Sequence, residues 1–205
     1  MKRKYTTYLS CISIICGLIV SILALVSCNS DDFDKIKTIP KQKETDQGSV
    51  ISPKDLGTHF SMGKGFNWVN TQVPTDIGMF ILDSRFQEVN YYFFLEFNYW
   101  FKELQFHGGF LPIDQKENLD CDNFAMLYKG LMGVSSYKTK SELEPAVAVV
   151  VVEQKYAFGG IPAGGLHMLN LVFTNNGWYI YEPQTNKFIV LESYPNRKYI
   201  KYFIL

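Results

Sequence analysis

Hydrophobic and polar residues are patterned unevenly along this chain, and the clearest period begins at Asp83. Phe86, Val89, Phe93, Phe97, Trp100, Phe101 and Leu104 fall at helical spacing with no Pro or Gly before Gly108, which predicts one long helix with an aromatic face. Such a stripe reads either as core packing or as a ligand groove. Phe124, Leu127, Tyr128, Leu131 and Met132 predict a second helix that ends at Gly133, with Asp120 as N-cap and Cys121 as its first residue. The period then changes to that of strands. Ala146 to Val152 is a continuous apolar, β-branched run suited to a strand buried on both faces. Leu166 to Phe173 and Trp178 to Glu182 flank Thr174-Asn175-Asn176-Gly177, a hairpin signal, and Lys187 to Leu191 and Tyr199 to Leu205 read as two further strands. Phe60 to Leu82 has no clear period. The expectation is an α+β domain with N-terminal helices packed on a C-terminal antiparallel β-meander.

The N-terminal pattern is of another kind. Lys2, Arg3 and Lys4 precede an apolar run from Cys11 through Val26, and polar chain follows Cys28. About 16 apolar residues fall short of the roughly 20 that span a bilayer, so a cleaved secretory signal is favoured over a signal anchor. Leu25-Val26-Ser27-Cys28 resembles the lipobox of bacterial lipoproteins, which implies lipidation of Cys28 as the mature N-terminus and a domain tethered to a membrane outside the cytoplasm. Residues 1–27 are then the signal peptide. Residues 28–54, rich in Asp, Lys, Gln, Ser and Thr, are expected to form a disordered tether, and 55–205 a single domain. The acidic run Asp31-Asp32-Phe33-Asp34 is similar to the export signals of surface lipoproteins in some bacteria, and reads equally as solvated linker charge.

Charge and cysteine usage narrow the partners. The chain has 20 basic and 20 acidic residues, and three of the basic ones leave with the signal, so the mature protein is mildly acidic. Nucleic acid is not an expected partner. Cys11 and Cys16 also leave with the signal and Cys28 carries lipid, so Cys121 is the one thiol of the mature chain and no internal disulfide is possible. No Lys-bearing phosphate loop and no zinc-ligand spacing appears, so neither cofactor nor metal is expected.

A thiol at a helix N-terminus has its thiolate stabilised by unpaired N–H groups and the positive dipole end, although Asp120 and Asp122 oppose this. An imidazole must accept the thiol proton. His59 and His107 read as solvent-facing, whereas His167 opens a strand after the glycine-rich stretch 159–165, an approach that would leave its ring accessible. Glu182, on the partner strand, is the candidate to orient it. The hairpin register decides this pairing. With Asn176-Gly177 as the whole turn, residue 171 opposes 182 and His167 is out of reach. With a turn over 174–177, residue 169 opposes 182, His167 lies one diagonal step from Glu182, and Gln184 across from His167 becomes a rival orienter. A three-residue loop puts His167 and Glu182 on opposite faces.

Asp120-Cys121-Asp122-Asn123-Phe124-Ala125, then His167, then Gly177-Trp178-Tyr179-Ile180-Tyr181-Glu182-Pro183 resembles the transglutaminase-like superfamily, including its bacterial cysteine-proteinase branch. The similarity covers roughly the C-terminal third of the chain. It implies a papain-like core with Cys121 as nucleophile, His167 as general base and acid, and Glu182 as orienting acid. The substrate would be an amide in a peptide or cell-envelope polymer. Two positions depart from the pattern. Glu182 stands where the family usually has Asp, and Asn123 where the proteinase branch often has a second Asp. A cell-wall peptidase group with an Asp-Cys-Ser-Gly-Phe motif matches less well. Gln115 is a candidate oxyanion donor, with the helix-start N–H groups as the alternative. The rival to an enzyme is a non-catalytic binding lipoprotein on the same fold, holding a glycan, a peptide or a partner protein.

Overall fold

The structure, a computed structural model, describes residues 39–42, 48–51, 79–80, 85–107, 120–138 and 141–205. Its elements in chain order are β1 (Val50–Ile51), β2 (Met79–Phe80), β3 (Phe86–Gln87), α1 (Tyr91–His107), α2 (Cys121–Lys138), β4 (Glu144–Pro145), β5 (Val147–Glu153), β6 (Leu166–Thr174), β7 (Gly177–Glu182), β8 (Lys187–Val190) and β9 (Ile200–Ile204), with short 3-10 turns at Leu191–Ser193 and Arg197–Tyr199. The class is α+β. The order is not simply helices then meander, because short strands precede α1 and build a small sheet β1-β3-β4. The larger sheet runs β2-β9-β5-β6-β7-β8. Its β5 to β8 are the expected meander, while β9 returns to the free edge of β5 and β2 joins it in parallel.

The valine run forms β5 because both of its faces are buried. Ala148, Val150 and Val152 join Leu169, Leu171, Phe173 and Ile180 in one apolar cluster, closed by Leu191, Tyr194, Phe203 and Leu205. Val147, on the other face, joins Val172, Tyr179 and Tyr181 under the two helices. The aromatic stripe of α1 packs in this second cluster: Phe93, Phe97, Trp100 and Phe101 are buried against Phe124, Tyr128 and Met132 of α2. It is core, not a groove.

The first helix starts eight residues later than its hydrophobic period suggests. Asn90 is the reason. Its side-chain oxygen accepts from the N–H groups of Tyr92 (2.9 Å) and Phe93 (3.1 Å), which caps the helix there. Upstream, the Val89 N–H donates to Phe173 O and its carbonyl accepts from Asn175, so Val89 and Phe86 are buried in sheets at a spacing that also fits a helix. The second helix continues past Gly133 to Lys138. A glycine costs roughly 1 kcal/mol in a helix. Tyr128, Met132 and Ser135 keep the same face buried through that turn, while Gly130 and Gly133 lie on its open side.

Part of the expected tether belongs to the fold. Ile39 is buried beneath the helices, the Pro40 carbonyl accepts from the Ser135 hydroxyl, Gln42 accepts from the Asn90 N–H, and β1 pairs with β3. Apolar Ile39, Val50 and Ile51, dispersed among polar residues, supply the few contacts this needs. Cys28 and the signal segment lie outside the described residues. No helix among the described residues is long and apolar enough to cross a membrane.

Candidate active site

Cys121 is the first residue of α2, and the helix start is closed by the Asn123 side chain. The Asp120 carbonyl accepts from Phe124 N–H (3.2 Å), and the Asp120 N–H donates to the Asn123 side chain (3.2 Å). Asn123, a departure from the proteinase pattern, is thus the residue that closes the helix start. Cys121 is a free, half-buried thiol. The Asp122 carboxyl is raised above its ordinary range, first by a hydrogen bond with Asp120, then by burial and by the negative charge of Asp120.

His167 and Glu182 are brought together by hairpin register. Thr174 pairs with Gly177 and Asn170 with Tyr181, and extension of that ladder sets Leu169 opposite Glu182 and His167 one diagonal step away. The turn is tighter than a four-residue loop, since the ladder reaches Thr174 and Gly177 and leaves Asn175-Asn176 at the tip. The Thr174 hydroxyl donates to Gly177 O (2.7 Å) and accepts from the Asn176 N–H (3.2 Å). Gly177 takes φ of 113°, open to glycine and strained for other residues.

The side chain of His167 is 7% exposed and that of Glu182 fully buried, and His167 Nε2 is hydrogen-bonded to Glu182 Oε2. The ring is therefore largely buried, whereas its place after a glycine-rich stretch suggested an accessible one. The glycine-rich stretch is itself pinned by Gln154. Its N–H donates to Gly165 O, its carbonyl accepts from Gly164 N–H, and its side-chain amide donates to the carbonyls of Ile161 (3.1 Å) and Pro162 (2.9 Å). One glutamine staples the stretch down against the end of β5.

Burial works against a charge on His167, but hydrogen bonds to Cys121 and Glu182, together with their negative charge, outweigh it and raise the imidazole to about 9. Cys121, His167 and Glu182 thus form one connected set. Glu182 is itself fixed: its second oxygen, Oε1, accepts from the Gln184 N–H at 3.0 Å. The rival orienter Gln184 therefore contributes its backbone, to the acid rather than to the imidazole. Of the other candidates, His107 pairs with Glu103 on its own helix at 3.5 Å, and His59 and Gln115 lie outside the described residues.

Sequence reasoning missed two residues here. Gly159, taken as part of a loose approach, is a close contact of the acid: a Cβ added to it would sit 3.2 Å from Glu182 Cγ, at φ of 63°. Gln105 of α1 donates from its side chain to the Pro183 carbonyl at 2.6 Å. The available signal was a polar residue on the buried face of an aromatic helix.

No family model matches this chain, and no curated protein matches it. It is similar in fold to a solved structure titled "PSL1a-E64 complex", with a TM-score of 0.50, 12% identity and 76% of this chain covered. The match spans 50% of that chain, so this chain corresponds to about half of it. At that identity the likeness concerns the fold alone.

Proposed function

We propose that this domain is a thiol hydrolase or acyltransferase with a transglutaminase-like, papain-like core, acting on amide bonds of peptides or envelope polymers. One observation carries the reading: a buried imidazole is bound by a carboxylate and has its proton affinity raised by both that acid and the helix-start thiol. Glu182 occupies Nε2, which leaves Nδ1 as the nitrogen that exchanges a proton with the sulfur.

The thiol proton passes to His167, and Cys121 Sγ attacks the amide carbonyl carbon. The oxyanion faces the unpaired N–H groups at the start of α2. His167 returns the proton to the leaving amine, and a thioester to Cys121 remains. Water or an amine then attacks this thioester, again giving its proton to His167, and regenerates the thiol. Glu182, held by the Gln184 N–H, keeps the ring oriented and stabilises its cationic form throughout. No cofactor or metal is required in this scheme. In the same reading Cys28 carries lipid and anchors the domain at the cell envelope, so substrates lie outside the cytoplasm.

A non-catalytic binding role is the second reading, and the Asp120 and Asp122 pair beside the thiol favours it, since negative charge disfavours a thiolate. Alkylation of Cys121 by iodoacetamide as a function of pH separates the two. An activated thiolate reacts at pH 6–7 at least about tenfold faster than an ordinary thiol of pKa near 8.5, and His167→Ala removes the excess. A native Cys121 that reacts no faster than an ordinary thiol sinks the enzyme reading.

A further inference from the structure

We propose that Gln105 is a positioning residue for the thiol site: from the last turn of α1 it grips the backbone beside Glu182 and so keeps that carboxylate against His167. The inference rests on the thiol-enzyme reading given above.

Gln105 is 4% exposed on a helix whose buried face is otherwise aromatic. Phe94, Asn98, Phe101 and Gln105 follow one another at steps of four, three and four, so Gln105 lies on the line that faces the core. A buried amide there is costly unless it is hydrogen-bonded. Its Nε2 donates to the Pro183 carbonyl across 78 positions of chain. Pro183 directly follows Glu182 and opens the four-residue turn between Glu182 and Lys187, which are paired across β7 and β8. Proline has no N–H, so at this residue the carbonyl is the one backbone group an outside element can hold.

The same turn sets the carboxylate. Glu182 Oε1 accepts from Gln184 N–H one residue beyond Pro183, while Oε2 faces His167. Rotation of the Pro183 peptide would therefore move the Gln184 N–H, and with it the acid. Gly159 leaves room for the acid, since a Cβ added there would sit 3.2 Å from Glu182 Cγ. Helix α2 carries Cys121 and is bonded to β6 through Asn170 and the Ala125 carbonyl, whereas Gln105 ties α1 to the turn that follows Glu182.

The groups that face the pair are Cys121 from α2 and Glu182 from β7, with Tyr181 and Tyr194 near the carboxylate. None of them is hydrogen-bonded to Gln105 itself, whose bond goes to the Pro183 carbonyl. In the full chain, Gln105→Met keeps the volume and removes the donor. Its effect is read as the His167 titration midpoint from ring-proton NMR, beside the pH profile of Cys121 alkylation. The expected result is a fall of about tenfold in the proton affinity of His167, with the alkylation profile moving in parallel. Phe101→Leu, in the same helix and with no bond to the turn, is the control for lost packing and should leave the midpoint in place. Gln105→Asn retains a shorter amide donor, should give an intermediate value, and replaces Gln105→Met should that variant not fold.

The proposal is overturned if removing the donor lowers the melting temperature without moving the midpoint, or if Phe101→Leu moves it as far. The thiol-enzyme reading fails separately. If wild-type Cys121 is no more reactive than an ordinary thiol while the midpoint still follows Gln105, the residue positions a His–Glu pair that does no chemistry.

Discussion

His167 Nε2 and Glu182 Oε2 are hydrogen-bonded across β6 and β7, both side chains withdrawn from solvent, and this pair gives the protein a calculable dependence on pH. The folded imidazole titrates at about 9 against an ordinary value of 6.5. A group raised on folding adds stability that is complete below its unfolded pKa and is lost as pH climbs through the folded one. The gap amounts to about 3 kcal/mol. Urea melts should therefore show unfolding free energy falling by an amount of that order between pH 6.5 and pH 9.5. In Glu182→Gln the slope should flatten, because only Cys121 then opposes burial in favouring the charged ring. An unchanged slope in that variant would mean that Glu182 does not hold the charge.

Gly159 makes a second, steric claim on the same carboxylate. Alanine there meets φ of 63° together with Thr185 Oγ1 at 3.1 Å and Glu182 Cγ and Lys187 Cβ at 3.2 Å. Gly164→Ala, at φ of 124° with nothing within 4 Å, meets backbone strain without crowding. Each strained backbone costs on the order of 1–3 kcal/mol. Gly159→Ala should add a disturbed His167 titration to its loss of stability, and Gly164→Ala should not. Equal His167 midpoints in the two variants would show that the contact with Glu182 is immaterial.

How much of this was legible in the sequence follows from which interactions are local. The valine strand, the β6–β7 hairpin and the helix start at Cys121 are encoded by residues within a few positions of one another, and period and turn chemistry expose them. The register that aligns His167 with Glu182 was one of three open on paper, and the Thr174 hydroxyl bonds at the tip select it. The strands before α1 were not visible, because Val50–Ile51 and Phe86–Gln87 are two-residue elements defined only by partners far along the chain. The stretch before His167 read as loose for the same reason. Gln154, thirteen residues from that histidine, closes it through bonds that no local pattern announces. The motifs of the transglutaminase-like resemblance include Cys121, His167 and Glu182, and Gln105 lies outside them.

Tyr128 and Asn98 join the two helices through a buried hydrogen bond of 2.6 Å from the phenol to the amide oxygen. The Asn98 amide nitrogen is buried with no partner. Tyr128→Phe therefore strands the oxygen as well and should cost about 1–3 kcal/mol, while Asn98→Leu combined with Tyr128→Phe removes both groups and should recover much of it. Chemical denaturation of the two single variants and the double variant gives the coupling energy directly. Strict additivity would show that the bond contributes nothing beyond packing.

The N-terminal edge of the domain supplies the last test. Residues 39–42 lie across the helices, with Ile39 buried, the Pro40 carbonyl on Ser135 and the Gln42 amide oxygen on the Asn90 N–H, and β1 then pairs with β3. A chain that starts at Ile39 retains all of these contacts. It should melt within a degree or two of one that starts at Asn29. A start at Pro53, near the polar-to-mixed change in composition at residue 54, removes the buried Ile39 and Ile51 side chains. Each side chain is worth roughly 1.5–3 kcal/mol of burial, and the small sheet loses an edge strand as well. Its melting temperature should fall by roughly 6–24 °C on the scale of about 2–4 °C per kcal/mol for domains of this size. If the start at Pro53 melts with the longer chain, the segment rests on the domain without supporting it, and the tether extends to residue 54 as the composition suggests.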